Sequence, residues 1–267
     1  MRLRLPTAFA LVVASVCSAL GLAITRRSLD QQPPCGPGFS RLGPRCEIVG
    51  TACPRPFVRD ASGCHPRRDT VLIPAASIAI GPSDWEAEGR ATPRTLHVSS
   101  FRIDAFEVTR DLLEPGCDDP FRAASGMTRE EAAGFCQSRG GRLPTEDEWT
   151  VAALSASLPP RRYPWGDTGA VCRRAAWGLD HGPCGAGATG PDIVGAHGDG
   201  DTPLGLHDLA GNVAEWVQTD PTRPGVAVAK GGSWRTALAS DLRVWARLEL
   251  GPGARTSDVG FRCAYPP

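Results

Sequence analysis

One cysteine pattern, written twice, constrains this chain before anything else does. Cys35-Gly-Pro-Gly-Phe39 reaches Cys46 after six residues, Cys53-Pro-Arg-Pro-Phe57 reaches Cys64 after six, and C-x3-F-x6-C thus recurs at an offset of 18. Residues 25–68 around the two copies are rich in Pro, Gly and Arg and show little helix or strand period. A segment this short cannot bury a core of its own, so it needs staples. The repeat predicts Cys35–Cys46 and Cys53–Cys64, each closing a ten-residue loop. Each bridge contributes on the order of 2–3 kcal/mol. The competing reading is a four-cysteine zinc site. Zinc favours cysteine pairs about two to four residues apart, whereas the intervals here are ten, six and ten. The segment reads as a stalk, either a spacer or a small adhesion-like module.

Ten cysteines in 267 residues also fit an oxidising compartment, since a reducing cytosol seldom keeps so large a thiol set. The N-terminus agrees. Arg2 and Arg4 precede an apolar run from Leu5 to Ile24, and Gly21-Leu22-Ala23 offers small residues for cleavage. Residues 1–24 read as a signal peptide, with an uncleaved anchor through residues 5–24 as the alternative. Cys17 after Ala14-Ser15-Val16 is a poor lipoprotein site, because a branched residue stands where a small one is wanted. The expected location is secreted or periplasmic, with or without a membrane tether. Twenty-nine basic residues balance 29 acidic ones, which argues against a nucleic-acid partner. Lys230 is the single lysine; the excess of arginine reads as compositional bias, not chemistry.

From Asp69 onward the pattern is that of a globular α+β domain over residues 69–267. Val71–Ile73 and Ser77–Ile80 read as strands, and His97–Val108 alternates with a phase shift at Ala105 that predicts a bulge. Thr128-Arg-Glu-Glu131 and Thr145-Glu-Asp-Glu148 are capping boxes, each opening a helix. Beyond Pro160 the chain is loop-rich, with short strands expected at Val226–Ala229 and Arg243–Ala246.

Six segments then stand in order: Phe101-Arg-Ile-Asp-Ala-Phe-Glu-Val-Thr109, Gly141-Arg-Leu-Pro-Thr-Glu-Asp-Glu-Trp149, Tyr163-Pro-Trp-Gly-Asp167, Gly205-Leu-His-Asp-Leu-Ala-Gly-Asn-Val-Ala-Glu-Trp216, Lys230-Gly-Gly-Ser-Trp234 and Gly260-Phe-Arg-Cys263. Together they resemble the formylglycine-generating enzyme (sulfatase-modifying factor) family over roughly residues 70–265. The resemblance implies a mixed α+β fold with little regular secondary structure, related in shape to C-type lectins. It also implies a chemistry: two cysteines downstream of Gly-Gly-Ser bind copper(I), activate oxygen and convert the cysteine of a C-x-P-x-R motif to formylglycine. The family's spacing puts those cysteines at Thr236 and Asp241, and no residue from Lys230 to Arg262 is a cysteine. Copper(I) wants soft sulfur ligands, which a hydroxyl and a carboxylate do not supply. Neither copper nor formylglycine-generating activity is expected.

Other chemistries read weakly. The iron-dependent sulfoxide synthases of the superfamily use clustered histidines, and His65, His97, His181, His197 and His207 are scattered. A triad of His207, Asp208 and Ser233 lacks the nucleophile elbow of a hydrolase. What the resemblance still implies is a calcium site on the side chains of Asp208 and Glu215 and the carbonyls of Gly211 and Val213. Two carboxylates plus backbone oxygens suit that hard cation. A second calcium site transfers poorly, because its asparagine falls near Ala175; a Cys172–Cys184 disulfide is expected to staple that loop instead. Relatives also imply Cys136–Cys263, which leaves Cys117 unpaired. The expected role is therefore binding or structural, through a former substrate groove of Ser233, Trp234, Arg235, Thr236, Asp241 and Trp245, toward a peptide, glycan or envelope protein. The alternative is an enzyme using the same pocket.

Overall fold

The structure is a computed structural model. It describes residues 34–61, 63–80, 93–156, 159–218, 220, 222–223 and 225–267. The leader expected at 1–24 lies outside the described residues. Residues 34–267 form one compact unit.

Two antiparallel hairpins come first, β1 (Phe39–Leu42) with β2 (Arg45–Ile48) and β3 (Phe57–Asp60) with β4 (Gly63–Pro66). The disulfides Cys35–Cys46 and Cys53–Cys64 hold one each. These hairpins do not stand apart as a stalk. Phe39 and Phe57 meet edge to face, with centroids 5.7 Å apart, and bury against Ile193 and Ala196. Gly36 N donates to Ala196 O at 2.7 Å, and Arg122 reaches Glu47 at 2.7 Å. The phenylalanine of each repeat needs an apolar surface that a free spacer lacks. The expected boundary at residue 68 therefore separates two parts of one packed unit.

β5 (Thr70–Ile73), β6 (Ala76–Ile80), β7 (Arg94–Val98) and β8 (Phe101–Asp104) follow. β8 runs regularly to Asp104, whose N donates to Cys263 O. Ala105 N donates to Asp69 O, one step further in the β5 register, but the next bond toward the other neighbour is Val108 N to Phe261 O, so the chain bulges between Asp104 and Val108 at the expected phase shift, with Phe106 and Val108 buried. A one-turn helix that the pattern did not announce, α1 (Arg110–Leu113), precedes α2 (Arg129–Ser138) and α3 (Glu146–Ala153). Both capping boxes form, Thr128 with Glu131 and Thr145 with Glu148, each satisfying two otherwise orphaned N–H groups.

The C-terminal half supplies β9 (Ala214–Trp216), β10 (Ala227–Lys230), β11 (Arg247–Leu250), β12 (Val259–Gly260) and β13 (Ala264–Tyr265). Where a strand was expected at 243–246, a 3-10 turn (Ala239–Leu242) and a bend delay β11 to Arg247. β13 pairs with β8, and β8 with β5. The larger sheet has the order β11-β10-β9-β12. Side chains alternate across a sheet, and here the alternation divides the domain. Ala214 and Trp216, Ala227 and Ala229, and Val259 join Phe261 and Cys263 in one apolar cluster. Lys230 is in register with Glu215 and with Arg247, and Gly260 with Glu215. These residues share the opposite face, against α3, where Trp149 Nε1 donates to Glu215 at 2.7 Å. The apolar face is tied to α2 by the disulfide Cys136–Cys263, and the fourth bridge, Cys172–Cys184, closes a loop in a separate cluster around Trp177 and Trp234. Cys117 is free and half-buried.

Candidate functional site

A cavity of about 580 Å³ opens over the small-residue face of the larger sheet. Ala214 and Ala229 form its floor, with Ser233, Arg235, Thr236, Asp241, Trp245, Leu248 and Asp258 around it. Five of the six expected groove residues line it. Trp234 does not: it is buried with Tyr163 and Trp177, and the Arg235 guanidinium, 4.9 Å above its ring, lies between it and the groove. Alanines on three-residue and four-residue strands leave the volume that larger side chains would fill.

The groove is shaped by the turn after β10. Gly232 has φ +68, and a Cβ there would fall 2.8 Å from Leu242 Cδ2 and 3.0 Å from both Asp241 O and Thr236 Oγ1. Only glycine lets the two positions converge so closely. Ser233 N donates to Thr236 Oγ1 at 2.8 Å, and Ser233 Oγ donates to Asp258 Oδ2 at 2.9 Å. The Thr236 hydroxyl thus caps the turn, and the Ser233 proton is directed at a carboxylate. Asp258 escaped the sequence reading, since an isolated aspartate before Val-Gly-Phe carries no signal of a partner 25 residues earlier. The imagined triad is dispersed: His207 pairs with Asp201 at 2.8 Å and stacks on Phe106, Asp208 accepts from Gly195 N, and Ser233 turns to Asp258.

Beside the groove lies a buried polar network. Arg262 grips Glu215 with two bonds of 2.7 and 2.8 Å and donates to His207 O at 2.7 Å and Ala105 O at 2.9 Å. Burial works against the Arg262 charge, but Glu215 outweighs it and holds the guanidinium above its ordinary value. Glu107 accepts from Asn212 Nδ2 at 2.8 Å and Val213 N at 3.1 Å. Asn212 accepts from Asp192 N at 2.9 Å, and Asp192 pairs with His197 at 3.0 Å. Burial, with Asp208 and Glu215 nearby, pushes the Glu107 carboxyl well above the usual range, and burial raises Asp208 too. Burial would also raise Asp192, but His197, Arg41 and the Cys46 N–H outweigh it and hold that carboxyl below the usual range.

The four expected calcium ligands lie on one turn, where Asp208, Gly211 and Asn212 take positive φ. They do not present a cage. Both Glu215 oxygens are taken by three N–H donors, from Arg262 and Trp149, so Glu215 serves as the counter-ion of Arg262. Asp208 and the two carbonyls remain, which is short of the six to eight oxygens calcium takes. Among the described residues, the one cluster with three ligand atoms within 4.8 Å is Cys46, Asp192 and His197, and Cys46 is disulfide-bonded.

Residues 122–266, more than half of the chain, match the family described as sulfatase-modifying factor enzyme 1-like domain. The chain belongs to this family. Inactive C-alpha-formylglycine-generating enzyme 2 of Mus musculus is 35% identical over 147 residues, covering 50% of this chain and 46% of that protein. Formylglycine-generating enzyme of Thermomonospora curvata is 31% identical over 179 residues, 56% of this chain and 57% of that one. Serine/threonine-protein kinase pkn1 of Chlamydia pneumoniae is 34% identical over 173 residues, but only 25% of it is covered. The chain thus spans between a quarter and just over half of these relatives. Among solved structures, PvdO from Pseudomonas aeruginosa superposes with TM-score 0.61 at 18% identity, over 81% of this chain and all of that one. Treponema denticola variable protein 1 gives 0.62 at 22%, over 74% and 95%. The fold is the mixed formylglycine-generating-enzyme-like, C-type-lectin-like one. Its four disulfides fit an oxidising compartment. No helix among the described residues is long and apolar enough to cross a membrane.

Proposed function

We propose that this is an extracytoplasmic, non-catalytic member of its family that binds an extended peptide in the groove over β9 and β10. One observation carries the reading. At the place where the family resemblance puts a copper thiolate, Thr236 presents a hydroxyl that is already engaged as the cap of the Ser233–Thr236 turn, at 2.8 Å. Asp241 stands where the second thiolate belongs, and a carboxylate is a hard ligand that copper(I) does not favour. The groove keeps what peptide binding needs: the apolar Trp245 and Leu248, the carboxylates Asp241 and Asp258, and the cations Arg235 and Arg247. Relatedness to an inactive formylglycine-generating enzyme supports the same reading. The calcium that the resemblance implies is not part of this reading, because Glu215 is held by Arg262 and Trp149 and the oxygens that remain are too few for that ion. Added calcium or a chelator is therefore expected to leave the melting temperature of wild type unchanged, and a rise with calcium that D208N abolishes would return the ion to this turn.

The test uses the purified chain with copper(I), oxygen, a thiol reductant and a C-x-P-x-R peptide, followed by peptide mass. The serine analogue of the peptide, which cannot be oxidised, runs beside it in a fluorescence binding assay. Binding of both peptides without a mass change is expected. Conversion to formylglycine overturns the non-catalytic reading, and absence of binding to either peptide overturns the peptide reading.

A further inference from the structure

The opposite face of the same sheet holds a second cavity, of about 1050 Å³. Lys230 of β10 is on its wall, with the Glu146 and Asp147 side of α3, Arg94 of β7 and Arg247 of β11 around it. Lys230 is the only lysine of the chain, among 28 arginines (29 basic residues less one). Composition therefore predicts arginine here, and arginine would be the better buried cation, because its charge is the less hydrated and its fork is pre-organised. What lysine offers, and arginine cannot, is a neutral amine.

The surroundings favour that neutral form. The side chain is 2% exposed, and its nearest carboxylate oxygen, on Glu146, is 3.7 Å away, beyond hydrogen-bond length. Glu146 is also the partner of Arg247, at 3.2 Å. The Trp149 ring, its centroid 5.5 Å from Nζ, acts in the opposite sense and favours the ammonium. The arginines that share the cavity have their own carboxylates: Arg94 with Asp147, Arg142 with Glu148 and Arg223 with Glu249. Burial, with Arg247 and Arg94 adding to it against Glu146 and Asp147, pushes the Lys230 amine down to about 8. Roughly a fifth of it is then unprotonated at pH 7.4, against about a thousandth for an ordinary lysine.

We propose that Lys230 is a covalent capture site for a small aldehyde entering this cavity. The Nζ lone pair adds to the carbonyl carbon and the carbonyl oxygen takes up a proton, giving a carbinolamine; loss of that oxygen as water leaves an imine, with Glu146 the nearest group to accept and return protons. No oxidant or reductant takes part. The site meets the peptide groove at Trp245 and Arg247, which line both cavities, but it does not rest on the groove reading.

Propanal with sodium cyanoborohydride tests this at pH 7, because the hydride converts any imine into a stable secondary amine. With one lysine in the chain, peptide mass separates a propyl group on Lys230 from one on the N-terminal amine. The expected result is labelling of Lys230 at least about tenfold faster than Nα-acetyl-lysine amide, in line with the larger neutral fraction, and saturating with propanal concentration. K230R, with melting unchanged, carries no label at that position. Labelling of wild type no faster than the free amide, a linear concentration dependence, or label confined to the N-terminus overturns the proposal.

Discussion

The two faces of the four-stranded sheet are built by different means from alternate residues of the same strands. On the groove face, Ala214, Trp216, Ala227, Ala229, Val259 and Phe261 pack as hydrocarbon, and Cys136–Cys263 ties that face to α2. On the other face, Glu215, Lys230, Arg247 and Arg262 add charges beside a hydrocarbon core in which Val228 meets Trp149 and Val151 of α3. Hydrocarbon packing tolerates a change of pH but not loss of a covalent tie. Buried charge behaves the other way, because each ion depends on its partner. One face is therefore sensitive to reductant and the other to protons and charge-removing substitutions.

Glu215→Gln strikes the charged face hardest. It leaves Arg262, fully buried, without its counter-ion, and a loss of about 3–5 kcal/mol is expected in urea unfolding. A loss under about 1 kcal/mol would mean that the backbone carbonyls around Arg262 satisfy it alone. The groove face is broken by Cys136→Ser with Cys263→Ser, which removes a tie between positions 127 apart in sequence. Disulfide loss of this kind costs about 2–5 kcal/mol, and the m-value should change with it, since the unfolded chain expands. Equal losses for wild type and the double variant on adding reductant would assign the effect to the other three bridges.

Lys230→Met sharpens the contrast in the opposite direction. The folded amine sits at about 8, below its ordinary 10.5, so the folded state binds its proton less readily than the unfolded chain does. Stability contributed by this residue rises as pH climbs from about 8 toward 10.5. The methionine variant should be more stable by about 1–3 kcal/mol at pH 7, with the gain shrinking through that window and gone above it. A gain that persists at pH 11 would trace to packing alone. The smallest effect on stability belongs to Leu248→Ser at the groove rim, where the leucine is 42% exposed. Unfolding should shift by under about 0.5 kcal/mol, while affinity for the C-x-P-x-R peptide falls about tenfold. Unchanged affinity would remove the rim from the binding surface.

Local signals were legible in this chain, and distant ones were not. The capping boxes at Thr128 and Thr145 are written within four residues, and both helices start there. The hairpin disulfides follow from a repeat of similarly short range. By contrast, Glu107 reaches Asn212 across 105 positions, and Cys46 N reaches Asp192 across 146. Nothing in the neighbourhood of either residue encodes such a partner. The strands of the larger sheet are two to four residues long, too short for alternation to announce which face each residue takes. The same limit hid the docking of the cysteine repeats, because Phe39 finds Ile193 only in the folded chain. It also hid Lys230, which the composition marks as unusual but only the fold surrounds with charge. The groove residues fared better, since Ser233 to Trp245 are close in sequence. Trp234 is the exception, turned away by the tight turn at Gly232.

The bridge from Cys136 to Cys263 has a consequence for proteolysis. It encloses everything from α3 to β12, including the whole lining of the groove and the Cys172–Cys184 loop. A protease that cuts once between residues 137 and 262 releases no fragment. The two pieces remain one molecule by mass until reductant parts them, so a nicked population would migrate as intact protein on any gel run without it.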